Sequence, residues 1–119
     1  MSEKYKEIVV KVDASFAENR MEDFLSLCVE DVEWKMVGDQ TKKGKASIRE
    51  WMSSMGEGMD APKIRARNQI AEGEIVAAYG EMTIKNEKGE DNTYEYCDIY
   101  RFENDKIAEL TSYVIKTKQ

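Results

Sequence analysis

The apolar positions of this chain recur at helical spacing in its first half and alternate in its second, which predicts helices followed by strands. Tyr5, Ile8, Val9, Val12 and Phe16 share one face of a helix over Ser2 to Asn19, flanked by Lys4, Lys6, Glu7 and Lys11. Asn19-Arg20 interrupts that spacing. Glu22 and Asp23 suit the start of a second helix, because early acids meet the positive end of the helix dipole, and Met21, Phe24, Leu25 and Cys28 form its buried side. Val32 to Val37 then alternates, with Val32, Trp34 and Met36 against Glu33 and Lys35, as a strand closed by Gly38-Asp39. Helical spacing returns over Lys45 to Met55, where Ile48, Trp51, Met52 and Met55 fall together, with Gly44 before and Gly56 and Gly58 after.

From Pro62 onward the period is two. Ile64, Ala66, Asn68 and Ile70 alternate with Lys63, Arg65, Arg67 and Gln69, and Glu72-Gly73-Glu74 makes the turn. Val76, Ala78, Gly80, Met82 and Ile84 then oppose Ala77, Tyr79, Glu81 and Thr83. A polar loop, Asn86 to Asn92, leads into Thr93 to Phe102, and Glu103-Asn104-Asp105-Lys106 turns the chain into a last strand, Ile107 to Ile115. Three helical segments and one strand followed by a meander of four strands indicate an α+β domain, with helices covering one side of a curled, mostly antiparallel sheet. A single domain over residues 1–119 is expected, since 119 residues suit one core.

One residue breaks this pattern. Asp98 shares its strand face with Tyr94, Tyr96, Tyr100 and Phe102, a face that turns inward, so it is either a satisfied core carboxylate or the polar centre of an apolar pocket. On the last strand the alternation is expected to turn Leu110, Ser112 and Val114 toward such a pocket and Thr111, Tyr113 and Ile115 outward.

Charge and composition narrow the chemistry. The 24 acids against 18 bases give a net charge of −6, which argues against a nucleic-acid or anionic-membrane surface. Lys42, Lys43 and Lys45 read as a solvated loop. No apolar run approaches the roughly 20 residues of a membrane span, and the N-terminus lacks a signal-peptide core, so a cytoplasmic location is expected. Cys28 and Cys97 are separate and read as reduced. The absence of histidine removes Ser-His and Cys-His nucleophiles, leaving carboxylates, Tyr, Lys or Cys as acids and bases. The acidic run from Glu87 to Asp91 lacks the oxygen-ligand spacing of a calcium loop, and neither metal nor cofactor is expected.

The order of elements, with Val29-Glu30-Asp31-Val32-Glu33-Trp34, Gly44-Lys45-Ala46-Ser47-Ile48 and Asp98-Ile99-Tyr100-Arg101-Phe102 followed by Lys106-Ile107, resembles the nuclear transport factor 2-like superfamily. Within it, the chain looks most like the branch of ketosteroid isomerases and SnoaL-like polyketide cyclases. The resemblance implies a cone-shaped α+β barrel, an apolar cavity between helices and sheet, and a homodimer through the outer sheet face, including Tyr79, Glu81 and Tyr113.

It also implies site residues. Asp98 matches the acid that stays protonated in the isomerases and donates a hydrogen bond to an oxyanion. The base of that reaction falls on Met36 and the first-helix tyrosine on Val12, neither of which can transfer a proton, so authentic ketosteroid isomerase activity is not expected. Near the last strand's tyrosine, the acids of cyclase and epoxide-hydrolase relatives appear as Ser112 and Ile115. Asp98 is therefore the one catalytic candidate. Trp34, Met36, Trp51, Met52, Met82, Tyr96, Tyr100 and Ser112 are the candidate ligand-binding residues, for which core packing is the competing reading. The expected partner is a small apolar or polycyclic molecule, bound or converted by a cofactor-free isomerisation, dehydration or cyclisation. The alternative is a non-catalytic binding or dimerisation domain whose own side chains fill the cavity.

Overall fold

The computed structural model describes residues 2–56, 62–86 and 88–118. Helices α1 (Ser2–Ala17), α2 (Met21–Ser26) and α3 (Lys45–Gly56) lie against a sheet of β1 (Cys28–Met36), β2 (Gln40–Lys43), β3 (Lys63–Glu72), β4 (Ile75–Lys85), β5 (Asp91–Glu103) and β6 (Lys106–Lys118). The six strands run in the order β2-β1-β6-β5-β4-β3, and the sheet curls without closing. Among the described strands only the β1–β6 pairing is parallel, so the first strand joins the meander at its last strand. This is the α+β cone the sequence implies. Gly58, Glu87 and the Met55 side chain lie outside the described residues.

The hydrophobic stripe of α1 accounts for its docking. Tyr5, Val9 and Val12 are buried, and the helix packs over β3 and β4. The Tyr5 ring stacks on Phe102 with centroids 4.2 Å apart, and its hydroxyl donates to Asp105 Oδ1 at 3.1 Å. Asp105 and Asn104 form the two-residue β5–β6 turn with φ of 63° and 51°, the left-handed pair that suits the twist of a tight hairpin.

Four local expectations are corrected. Cys28 is not on the second helix: α2 stops at Ser26, and Cys28 opens β1 fully buried, its thiol donating to the Phe24 carbonyl. The segment Gln40–Lys43 is a strand, pairing with β1 from Glu33↔Lys43 to Met36↔Gln40. As a polar edge strand it carries no hydrophobic alternation, and lysines suit its exposed margin. Leu110 points into the closed core rather than the cavity.

The fourth correction concerns β3. Ala66 pairs with Gly80 but Asn68 with Tyr79, so Arg67 is an extra residue in the ladder. Such a bulge reverses the faces beyond it. Ile64 therefore faces inward while Ile70 is 61% exposed and Ala71 packs on the core. Gly80 lies beside the bulge, where a Cβ would run into the Arg65 carbonyl and sit 2.9 Å from Ala66 Cα.

Candidate functional site

A cavity of about 330 Å³ opens between α1, α3 and the concave sheet face. That volume is in the range of small-molecule sites, and its wall is mostly apolar. Of the residues singled out in the sequence, Trp34 and Met36 reach it from β1, Trp51 and Met52 from α3, Met82 from β4, and Tyr96, Asp98 and Ser112 from β5 and β6. Tyr100 does not join them. It is fully buried in the core, in the same cluster as Val12 and its β6 register partner Leu110.

Strand register brings the polar members together. Asp98 pairs with Ser112 across β5–β6, and Ser112 in turn pairs with Met36 across the parallel β6–β1 ladder. The Trp34 indole Nε1 donates to Ser112 Oγ at 2.9 Å. With one lone pair so occupied, the hydroxyl keeps its own proton for the neighbouring Asp98 carboxyl. Trp34 is itself held by Trp51, edge-on at 5.4 Å, and by Phe16, stacked at 5.7 Å.

Electrostatics single out the same carboxyl. Burial disfavours the ionised form of Asp98 and pushes its pKa up to about 7; Ser112 opposes that shift and the nearby Asp13 adds to it. An acid titrating there is poised to hold or give a proton at neutral pH.

Asp13 was not foreseen. It follows the core residue Val12, yet it lies four residues after Val9 and three before Phe16, on the helix edge that borders the cavity. Burial raises its pKa to about 6. Helical spacing joins Asp13 to the apolar stripe, but an acid at the edge of that stripe reads equally as a solvated position. The Tyr96 side chain adds a third polar atom: the residue is 6% exposed, and its hydroxyl has no hydrogen-bond partner among the described residues. Desolvation raises its pKa, so it stays a neutral donor. Among the described residues no group of three histidine, cysteine or carboxylate side chains is placed to hold a metal ion, and no helix is long and apolar enough to cross a membrane.

A helical layer over a curled open sheet, with an acid-bearing apolar cavity between them, defines a nuclear transport factor 2-like protein. The chain belongs to the SnoaL-like domain family, whose sequence model matches residues 9–110. No curated protein matches it. Among solved structures, a nuclear transport factor 2-like protein of unknown function from Burkholderia pseudomallei is similar with a TM-score of 0.85 at 16% identity, over 92% of this chain and 89% of that one. A second such protein of unknown function, from Cytophaga hutchinsonii, is 27% identical with a TM-score of 0.75, over 97% and 99% of the two chains. TerC, crystallised with polyporic acid, is 20% identical with a TM-score of 0.82, over 92% and 90%.

Proposed function

We propose that this protein binds a small, mostly apolar molecule in the cavity, and that Asp98 acts there as a buried acid, donating a hydrogen bond to an enolate-like or carbonyl oxygen. The observation that carries this reading is the Trp34–Ser112–Asp98 arrangement at the floor of an open apolar cavity of about 330 Å³. An acid that titrates near neutrality keeps a proton for an acceptor oxygen, and stabilises charge developing on it more strongly than water does. A cofactor-free isomerisation, dehydration or cyclisation is the reaction class such a group serves. The alternative of a self-filled core is less well supported, because the side chains leave that volume open. TerC's complex with polyporic acid is consistent with a ligand-binding role for the fold.

The test uses the protein's only two tryptophans, both of which line the cavity, as the reporter. Titration with 2-naphthol, a planar oxygen-bearing probe, is expected to quench them saturably, with binding weakened about tenfold in Asp98→Asn. Unchanged affinity in that variant removes Asp98 from the proposed role.

A homodimer is proposed as part of the same reading. Tyr79, Cys97 and Tyr113 are aligned by register across β4, β5 and β6 on the outer face, and Ile115 beside them is 67% exposed. Such a patch suits an interface between copies. Sedimentation at micromolar concentration is expected to give a dimer, and a monomeric mass refutes it.

A further inference from the structure

We infer that the ligand of this cavity is an organic cation, an apolar molecule carrying an ammonium group that sits against the carboxylate of Asp13. The inference rests on the reading of the cavity as a small-molecule site and names the chemical class that site takes.

Charge compensation is the first argument. Asp13 lines the apolar cavity half-buried, and among the described residues it has neither an ion-pair partner nor a hydrogen bond. The groups facing it across the cavity are Asp98 and Tyr96 from β5 and Ser112 from β6; the α1–α2 turn brings Asn19, and α2, α3, β1, β3 and β4 bring Met21, Trp51, Met52, Trp34, Ile64 and Met82 to the same wall or its rim, and no lysine or arginine among the described residues lines it. A carboxylate withdrawn from water without a counter-charge is costly, and whatever supplies that charge is bound preferentially. A neutral ligand leaves the cost in place. An anionic ligand adds to it.

The second argument is independent of the acids. The Tyr96 hydroxyl is buried without a partner among the described residues in a residue that lines the cavity, so a polar atom behind the wall is left unsatisfied by the protein itself. Phe16, Trp34 and Trp51 surround the same space, and aromatic rings attract cations through their electron-rich faces. An ammonium-bearing molecule whose other end carries an oxygen meets Asp13 with the first and Asp98 or Tyr96 with the second.

The test compares benzyltrimethylammonium with neopentylbenzene, which has carbon in place of nitrogen and the same shape. Quenching of Trp34 and Trp51 reports binding of each. Asp13 titrates near 6, so it is about one-tenth ionised at pH 5 and almost wholly ionised at pH 7.5. The preference for the cation over its neutral twin is therefore expected to rise at least tenfold across that interval, about tenfold of it from Asp13 and the remainder from Asp98, which ionises later. The tenfold part, which sets in near pH 6, is lost in Asp13→Asn. A pH-independent preference in the wild-type protein, or an undiminished rise in Asp13→Asn, overturns the inference, and the first comparison needs no variant to fold. Saturable binding of neopentylbenzene with none of the cation also overturns it while leaving the cavity reading intact. Binding of neither probe overturns both.

Discussion

Replacing Asp98 with asparagine is expected to make the protein more stable at high pH, with a gain that grows in a defined window. The amide has nearly the shape of the carboxyl and still accepts from Ser112, but it cannot ionise. In the wild type, burial lifts the carboxyl from 3.8 to about 7, whereas in the unfolded chain it titrates near its ordinary value. Between those two values the folded state holds a proton that the unfolded state has released, so stability falls as pH rises. The loss is absent below about pH 4, proceeds at about 1.4 kcal/mol per pH unit, and levels off above about pH 7 at on the order of 4 kcal/mol. Asp13 contributes in the same direction in both proteins and largely cancels in the difference. Urea unfolding followed by tryptophan fluorescence at pH 5 and pH 8 should show the gap between Asp98→Asn and wild type widening by about 2–3 kcal/mol. Reading the change in the gap, rather than its size, removes any fixed cost of packing an amide. A gap that stays constant from pH 5 to pH 8 means the carboxyl titrates as a solvated group, and the account of a buried acid fails.

Gly80→Ala is expected to destabilise by about 1–3 kcal/mol in the same assay, because its methyl group meets backbone at Arg65 and Ala66 rather than a side chain that can move. Ser112→Ala should raise the Asp98 pKa above about 7, as read by carboxyl NMR titration, and shift the Trp34 indole proton signal, since the hydroxyl that accepts from Trp34 also favours the Asp98 carboxylate. Tyr100→Phe removes a hydroxyl with no partner among the described residues and should leave stability unchanged or raise it by up to about 1–2 kcal/mol. A loss above about 1 kcal/mol there shows that the hydroxyl is bonded.

Where local pattern and fold obey the same period, the sequence was enough. The stripe from Tyr5 to Phe16, the Ile48–Trp51–Met52 face and the alternation of β4 and β5 each bury what their spacing says. The predicted start of α3 at Lys45 matches the observed helix, and the alternation from Val76 to Ile84 falls within β4. Asp98 was legible because a carboxyl among inward tyrosines contradicts its neighbours. Asp13 was not, since at the edge of a helical stripe an acid reads equally as the first solvated position, and only the helix's rotation against β3 and β4 decides which it is.

The sequence by itself determined the order and type of the main elements, the absence of histidine chemistry and the presence of one anomalous acid, all of which depend on residues close together in the chain. The tertiary structure alone decided that β1 pairs with β6, that Arg67 bulges and turns Ile70 outward, that Tyr100 withdraws into the core, and that Asp13 and Asp98 share one cavity. Each of these is a matter of register or docking between segments distant in sequence. Local periodicity reports which face of an element is apolar, but not which neighbour that face will meet.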